Sequence, residues 1–534
     1  MDTSLMSSPG VMMLFGLSPL LALAVGGLLL MLAEAFGRPV VARALEAQAI
    51  GAQPAGPGGK VVDAGAGRGA ELALGAAVIL FSGAIFSVAL WLVGPENVPG
   101  TDRVAPYLVI DRFSVFFSFV VCLGGGIAAL LAGGYLPEHR IDRGEFFPLL
   151  VFCTLGAQAL AAAGDLLSLF VALETMSLGV YCLVGLRRTS VRASEAALKY
   201  FLLGSFAAAL MLFGAALLYG ATGRTDLAGI GEAIAGLSGT GLELRAAQIL
   251  IALALLIVGL AFKVGAVPFH MWTPDAYEGA PTPTTGFMAV AVKSAAVAVL
   301  LRVLLVAFAD ERLGSWGTGW PPVLATIAVL SMFVANVIAG RQESVKRMLA
   351  YSSIAHAGYI FIGVVATSRS ADAQAAVLFY LLSYTVSTLG AFGALILAGR
   401  YRAEAVSYED LAGFGRRHPA AALAFSFFLI SLAGVPPTAG FFGKLYVFKA
   451  AIQGELYWLV VLGLINSVIG AYYYLKVLVF MYMREPKPGA PFATPMRSGY
   501  VATALVIAAC FVLGLGILPD TALSAAVAAV LSGG

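Results

Sequence analysis

The sequence predicts an all-α polytopic membrane protein with about fourteen transmembrane helices, and three observations support that prediction. Of the 534 residues, 60% are hydrophobic and only 11% are charged, whereas soluble domains contain about 25% charged residues. The apolar residues form long stretches of roughly 20, the length that crosses a bilayer as a helix. Two of these stretches are interrupted by glycine and proline. Such long stretches argue against a membrane barrel, whose strands alternate in polarity over about ten residues.

The apolar stretches define the predicted spans and their connections. The spans lie at residues 11–33, 72–94, 108–134, 146–164, 166–187, 194–221, 247–267, 284–308, 321–340, 345–367, 374–400, 419–450, 455–482 and 498–518. The connection at 38–70 is rich in Gly, Ala and Pro and is predicted to be a flexible loop. Lys and Arg are concentrated in the odd-numbered connections. The positive-inside rule therefore predicts a multi-pass protein of the bacterial cytoplasmic (inner) membrane with both termini in the periplasm.

The two interrupted spans predict an internal repeat. The seventh span carries Lys263 just before Gly265 and Pro268, and the twelfth carries Gly434 and two prolines before Lys444. Broken helices at matching positions of two oppositely oriented halves indicate inverted repeats with a site near the bilayer midplane. We expect two inverted five-helix repeats, helices 4–8 and 9–13, in which helices 7 and 12 are broken. The predicted units are three helices in 1–145, bundles in 146–310 and 311–485, and a final helix in 486–534.

Five ionisable side chains lie inside the otherwise apolar spans: Glu174, Lys199, Lys263, Lys293 and Lys444. A charge at the bilayer centre costs roughly 2.5–3.5 kcal/mol on insertion scales, so these groups are expected to have a function. A series of carboxylate and amine groups through a membrane can move protons. The alternatives are a protonated carboxyl bonded to backbone at Glu174 and purely structural roles for the lysines.

Glu174 and Lys263 are predicted to form the first pair of this relay. The lysine precedes a helix break, where a side chain faces water and protein rather than lipid. A nearby ammonium favours the ionised carboxylate, while burial favours the neutral form of both groups, and a near balance allows proton exchange. Glu195 and Lys199 have the i,i+4 spacing of a helical ion pair, which is structural or part of the relay.

The histidines and the remaining lysines of the spans are weaker candidates. His270, at the first break, and His356, among serines, are possible relay groups, with a structural role almost as probable for each. His139 and His418 lie in charged connections, where we expect them to be solvated. Lys449 is expected to extend to the membrane surface. Lys476 follows Tyr472-Tyr473-Tyr474, which is interpreted as an interfacial aromatic patch.

Several classes of site have no sequence signal in this chain. There is no P-loop, no GxGxxG after a strand and no CxxC or His/Cys cluster. We therefore predict that the chain binds no cofactor or metal of its own, has no redox active site and binds no nucleic acid. Its driving force is expected to come from a partner chain or an ion gradient.

Three long motifs resemble the signatures of a known family. They lie at residues 262–283, 346–356 and 431–444, and they resemble the antiporter-like membrane subunits of respiratory complex I, the proton-translocating NADH–quinone oxidoreductase. The resemblance covers residues 105–485 with the motifs in the same order. It implies the fold described above. It also implies that the family's helix-five glutamate matches Glu174 and that its helix-six, -seven, -eight and -twelve lysines match Lys199, Lys263, Lys293 and Lys444.

The resemblance also implies a setting for the chain. Quinone, NADH, FMN and iron–sulfur clusters are expected in other subunits, and the partners are lipid, neighbouring antiporter-like subunits and small membrane subunits. Quinone reduction elsewhere would then drive proton transfer through the Glu/Lys relay. Three alternatives stay open at this point: a multi-subunit cation/proton antiporter, a related hydrogenase-, formate- or ferredoxin-linked complex, and a scaffold that does not transport.

Overall fold

The structure, a computed structural model, is all-helical in the parts it describes. These are residues 9–36, 66–141, 143–237, 242–399, 404–487 and 493–531. Within them, twelve helices are long and apolar enough to cross a membrane, and two shorter apolar helices accompany them, Phe146–Ala162 and Pro419–Ala433. The predicted all-α membrane class is confirmed. Each of the fourteen predicted spans overlaps a helix, while the exact number of crossings and the inverted repeat stay predictions.

The helices are numbered here in chain order. The first group, α1–α6, comprises Pro9–Gly16, Ser18–Phe36, Ala66–Val93, Arg112–Glu138, Phe146–Ala162 and Leu166–Val184. The second group, α7–α11, comprises Val191–Thr222, Leu227–Ala235, Leu242–Val264, Thr273–Gly279 and Thr282–Ala307. The third group, α12–α19, comprises Trp320–Gly340, Val345–Ala366, Ala373–Leu397, Pro419–Ala433, Ala439–Gln453, Tyr457–Met483, Gly499–Ile517 and Pro519–Ala528.

Four helices form the interior of the molecule. Helices α4, α11, α13 and α14 are almost entirely enclosed by their neighbours. The outer helices keep large apolar side chains exposed, as at Phe206 and Phe213 on α7, which suits contact with lipid or with other membrane helices. Charged groups in the middle of the interior helices, such as Lys293, are consequently shielded from both lipid and bulk water.

Polar caps begin several of the helices that carry the ionisable residues. The Asp165 carboxylate accepts a hydrogen bond of 2.7 Å from the Leu167 N–H at the start of α6. The hydroxyls of Ser190 and Ser344 do the same for α7 and α13. Such caps satisfy amide groups that have no partner within the helix, and each contributes about 1 kcal/mol.

Both predicted helix breaks are present. Helix α9 ends at Val264 and is followed by Gly265 with φ +75°, and α15 ends at Ala433 and is followed by Gly434 with φ +88°. Glycine adopts this left-handed conformation without the steric cost of a Cβ, which is why it ends helices. Each break exposes helix-terminal carbonyl groups inside the bundle, where they can accept hydrogen bonds from side chains.

The predicted loop at 38–70 is wrong at its carboxyl end. Helix α3 begins at Ala66, because the backbone must pair its polar groups as it approaches the bilayer. Residues 38–65 of the predicted loop lie outside the described part of the chain.

Candidate functional site: a row of buried amines

Lys263 lies in the last turn of α9 and is buried. Its Nζ donates hydrogen bonds to Ser177 Oγ at 2.7 Å and Tyr181 Oη at 3.0 Å, both on α6. The aromatic rings of Tyr181 and Tyr200 have their centroids 5.2 and 5.9 Å from the same nitrogen. Ring faces attract a cation, so this cage can hold the ammonium form without a carboxylate in direct contact.

Glu174 lies one turn before Ser177 on α6, on the side of the helix that approaches Lys263. The carboxylate acts on Lys263 through its charge, without a hydrogen bond between the two. Its Oε1 is buried without a hydrogen-bond partner in the described chain. The adjacent Val171 and Thr175 are exposed on the outer surface. Glu174 and Lys263, the predicted pair, are therefore near each other without direct contact, and Glu174 lies at the edge of the bundle.

Lys293 lies on the interior helix α11, directly after a π-helical turn, Met288–Val292. Its Nζ donates to both the carbonyl and the hydroxyl of Ser353 on α13, the latter at 2.6 Å. The ring of Tyr384 lies 5.6 Å from Nζ. Single π-helical turns often occur at functional sites because they shift side chains relative to the rest of the helix.

His356 lies on α13, one turn beyond Ser352 and Ser353, and is buried. Its Nδ1 is 2.8 Å from Tyr380 Oη, and its Nε2 is 3.1 Å from Tyr474 Oη. The Tyr474 hydroxyl also contacts the Ser352 hydroxyl. The imidazole is therefore linked through hydroxyl groups to the segment that binds Lys293.

Lys444 lies on α16 and is buried beside the second helix break. Its Nζ donates to the Ala433 carbonyl at 2.9 Å and to Ser467 Oγ at 3.0 Å. The Tyr359 ring centroid is 5.1 Å away. The carbonyl belongs to the last residue of α15, where the helix dipole is negative, so the helix end stabilises the ammonium form.

Several buried hydroxyl groups near these amines have no protein partner among the described residues. They belong to Thr284, Ser294, Tyr384 and Thr388. Buried polar groups in proteins are nearly always hydrogen-bonded, to protein or to water. Tyr384, whose ring lies 5.6 Å from the Lys293 amine, and Thr388, one turn further along α14, are therefore suited to bind water molecules, which conduct protons between fixed side chains.

Lys199 occupies a different environment from the other lysines. Its side chain is 47% exposed, and it forms ion pairs with Glu195 at 2.6 Å and Asp275 at 3.1 Å. Arg347 and Glu278 complete this surface cluster. Partial burial raises the pKa of Asp275, but the hydrogen bond from Lys199 and the charge of Arg347 outweigh it and hold the pKa below its usual value. The expected Glu195–Lys199 pair is present, but it lies outside the buried row.

The weaker candidates have mixed surroundings. His270 lies between α9 and α10, half-buried, and burial lowers its pKa. Lys449 is exposed. Lys476 donates to the carbonyls of Gly340 and Gln342 and so caps α12.

The interpretation of Tyr472-Tyr473-Tyr474 as an interfacial patch is wrong for its last two members. Tyr473 and Tyr474 are buried, because α17 turns them toward α12 and α13.

A second charged cluster was missed by the sequence analysis. Lys346 is 1% exposed and is 3.1 Å from the Glu404 carboxylate. Burial raises the pKa of Glu404, but Lys346 and the hydroxyls of Tyr135 and Thr282 outweigh it, and the pKa lies below its usual value. His139 is part of the same region. The expectation that it is solvated is wrong, because it is buried against the Tyr135 ring with a centroid distance of 4.0 Å.

Comparisons with known proteins agree with this architecture. Residues 163–470 match the family model described as "NADH:quinone oxidoreductase/Mrp antiporter, TM". The chain is 66% identical to NADH-quinone oxidoreductase subunit N 1 of Sorangium cellulosum, covering 96% of this chain and 98% of that protein. A chain of respiratory complex I from Thermus thermophilus superposes with TM-score 0.73 at 35% identity, covering 97% of this chain and all of that one. A chain of the Mrp complex from a Dietzia species shares the fold, with TM-score 0.76 at 21% identity and 97% coverage of both chains.

The helical bundle, its two breaks and its buried lysines define an antiporter-like membrane subunit. The nearly full-length similarity at 66% identity is more specific than the fold. The chain belongs to the NADH-quinone oxidoreductase subunit N family.

Proposed function

We propose that this chain translocates protons as a membrane-arm subunit of an NADH–quinone oxidoreductase. The observation that carries the proposal is the series of buried amines, Lys263, Lys293 and Lys444, each hydrogen-bonded to neutral groups inside the bundle. Ionisable groups are costly in a membrane unless they pair or carry ions. Partner subunits would supply NADH oxidation, quinone reduction and all redox cofactors.

The surroundings of each lysine suit reversible protonation. Burial disfavours an ammonium ion, whereas hydroxyls, ring faces and a helix end favour it, so the two forms can be close in free energy. Lys293 and Lys444 both contact α13, at Ser353 and Tyr359 respectively. His356 of the same helix bonds to two tyrosine hydroxyls. Neutral imidazole accepts a proton at one nitrogen and releases one from the other. These groups form a plausible path from the first half to the second.

Glu174 supplies the carboxylate at the start of this series. A change in its charge alters the electrostatic stabilisation of Lys263, even without direct contact, since Coulomb interactions are weakly screened inside a bundle. Quinone reduction in a partner subunit would perturb this acid. The proton affinities of Lys263, Lys293 and Lys444 would then change in sequence, and one proton would leave on the far side. The positive-inside rule places that side in the periplasm, with both termini of the chain.

The test uses the whole complex, with Lys263→Ala or Glu174→Ala in place of the native chain. NADH-driven acidification of inside-out membrane vesicles is measured per NADH oxidised, and assembly is checked by native electrophoresis. We expect both variants to assemble and to lose most of their pumping. Lys449→Ala, an exposed lysine on the helix of Lys444, is the matched control and should pump normally. Normal pumping by both relay variants would overturn the proposal.

Two of the alternatives predict other results. A cation/proton antiporter predicts that sodium ions alter transport and that the co-purified chains lack NADH-oxidising and quinone-binding proteins. A scaffold predicts that neutralising Lys293 leaves turnover unchanged. The 66% identity with a subunit of the quinone oxidoreductase favours the first proposal. The antiporter is supported by the shared fold and by a family model that covers both kinds of complex.

A further inference from the structure

Glu404 lies after α14, on the side of the protein that the positive-inside rule places in the cytoplasm. Its carboxylate is contacted by three other elements. It accepts hydrogen bonds from Tyr135 Oη on α4 and from Thr282 Oγ1 on α11, the latter at 2.8 Å. Lys346 on α13 lies 3.1 Å from the other oxygen and also donates to the Ala280 carbonyl at 2.7 Å. Four separate parts of the chain therefore converge on one carboxylate.

The position of the loop does not depend on this carboxylate. The Val345 N–H donates to the Val406 carbonyl at 2.6 Å, and Ser344 and Ser407 form a β-bridge. Backbone pairing thus fixes the segment to the start of α13. A buried ion pair is a weak source of stability, because desolvation offsets most of the attraction. The Lys346–Glu404 pair calls for another explanation.

Glu404 can exchange protons with solvent. Its side chain is 19% exposed, and a small cavity of about 10 Å³ beside it is lined by Tyr135, His139 and Thr282. A space of that size holds about one water molecule. The carboxylate is ionised at neutral pH, since its pKa lies below the usual value. It is therefore a proton acceptor in contact with water on one side and with buried hydroxyls on the other.

Residues with hydroxyl groups on α11 and α14 lie between Glu404 and Lys293. Thr282 begins α11, and Lys293 lies eleven residues later, which corresponds to roughly 16 Å along a helix, about half the thickness of the hydrocarbon core. Thr284 on α11 and Thr388 on α14 have hydroxyls without a protein partner. The Tyr384 hydroxyl, one turn from Thr388, lies beside both Thr388 and Ser353 without a full hydrogen bond to either. Ser353 in turn binds Lys293.

We propose that Glu404 is the group that takes up protons from the cytoplasmic side and delivers them to Lys293. The inference rests on the proposed function and adds an uptake route to it. A proton from water binds a carboxylate oxygen of Glu404. It then passes along these hydroxyls and the water molecules bound between them, each of which accepts one proton on a lone pair and releases its own. The neutral amine of Lys293 accepts the last proton and becomes an ammonium, and Glu404 is again ionised. Lys346 holds the carboxylate in place between these steps.

The test is Glu404→Gln in the assembled complex, compared with the double variant Glu404→Gln/Lys346→Met. Glutamine keeps the shape and an acceptor oxygen but carries no exchangeable carboxyl proton. The double variant also removes the unpaired buried ammonium that the single variant leaves. NADH-driven proton uptake by inside-out vesicles is measured per NADH oxidised. The matched control is Glu409→Gln, which breaks the exposed Glu409–Lys487 pair on the same loop.

We expect both Glu404 variants to assemble and to pump at least about fivefold more slowly than the native complex. Glu404→Asp should recover part of the pumping rate, because it restores a carboxylate. Glu409→Gln should pump at the normal rate. Recovery of pumping in the double variant would show that only charge balance matters and would overturn the proposal, as would normal pumping in both variants. If neither variant assembles, Thr282→Val is the test instead. This variant removes the hydroxyl that contacts Glu404 and keeps the Lys346–Glu404 ion pair. Normal pumping by that variant would overturn the proposal.

A parallel measurement on Lys293→Met separates this inference from the proposed function. If Lys293→Met loses pumping while the Glu404 variants pump normally, only the uptake route is wrong. If Lys293→Met itself pumps normally, the relay is wrong and the uptake route fails with it.

Discussion

The two helix breaks carry a lysine each, yet they satisfy its charge by different means. At the first break, Lys263 is held by hydroxyls and ring faces of neighbouring helices, and the helix-terminal Phe262 carbonyl accepts a hydrogen bond from Trp272 Nε1 at 3.0 Å instead. At the second break, the helix-terminal Ala433 carbonyl accepts directly from Lys444. Glu174, one turn from Ser177 on α6, is close enough to interact electrostatically with Lys263. No carboxylate among the described residues acts on Lys444 in this way.

This difference suggests a division of roles between the halves. A lysine near an acid responds to a change in that acid's charge, so the first site is suited to receive a signal. A lysine stabilised by a helix end has surroundings of fixed charge, because a backbone carbonyl cannot be protonated at physiological pH. The second site is therefore suited to respond only to the proton that reaches it. Variants can separate these two roles.

The largest effect is expected from arginine at the second break. In Lys444→Arg the positive charge and much of the volume are kept, but a guanidinium does not release its proton in proteins. If Lys444 must lose and regain a proton, NADH-driven pumping should fall on the order of tenfold or more. Lys449→Arg on the same helix is the control. Pumping at the normal rate by Lys444→Arg would mean that only a fixed charge is needed there.

A several-fold effect is expected from the connection between the halves. Tyr474→Phe keeps the ring but removes the hydroxyl that contacts His356 and Ser352. A proton-transfer path broken at one hydroxyl should slow pumping roughly threefold to tenfold, which is less than loss of a titrating group. Tyr482→Phe on the same helix, which loses only a contact with Ser426, serves as the control. Equal pumping rates for the two variants would place the path elsewhere.

A moderate effect on stability is expected at the first break. Trp272→Phe removes one of the two N–H groups that donate to the Phe262 carbonyl, while the Gly265 N–H at 3.0 Å remains. The variant should destabilise the assembled chain by about 0.5–1.5 kcal/mol, the usual net contribution of one hydrogen bond. Thermal inactivation of the purified complex measures it. Pumping per NADH should change little, since Lys263 does not use this carbonyl. A large pumping defect with normal thermal stability would contradict the contrast drawn between the two breaks.

The sequence predicted the helices, the two breaks and the three buried lysines, because each has a strong local signal. Glycine and proline mark the breaks at Gly265 and Gly434, and a lysine in an apolar stretch is conspicuous wherever its partners lie. Tyr474 gave no comparable signal, since a run of tyrosines beside a lysine is also typical of the membrane surface. Its contact with His356 joins residues more than a hundred positions apart in the chain.

The Glu404–Lys346 pair was missed for a related reason. Charged residues at the ends of spans are ordinary, and only the fold brings this carboxylate under Tyr135 and Thr282. Sequence reasoning likewise counted Lys199 among the relay candidates, because it lies inside a predicted span, and left open whether its pair with Glu195 is structural. Its exposure depends on which face of α7 is turned outward, and an almost uniformly apolar helix does not reveal that face.

The smallest effect is expected at the surface cluster beside the first half, where Lys199 and Arg347 hold Asp275. The pKa of Asp275 is lower in the folded chain than in the unfolded one, so its contribution to stability is present above the unfolded pKa of about 4 and is lost as the pH falls through the folded value. Asp275→Asn should therefore lower the thermal stability at pH 7 by a few tenths of a kcal/mol, as exposed ion pairs do. The difference in thermal stability between Asp275→Asn and the native complex should become smaller below about pH 4. A larger deficit at pH 7, accompanied by loss of pumping, would instead indicate that Lys199 works with Lys263 and that the first half receives its signal through two lysines.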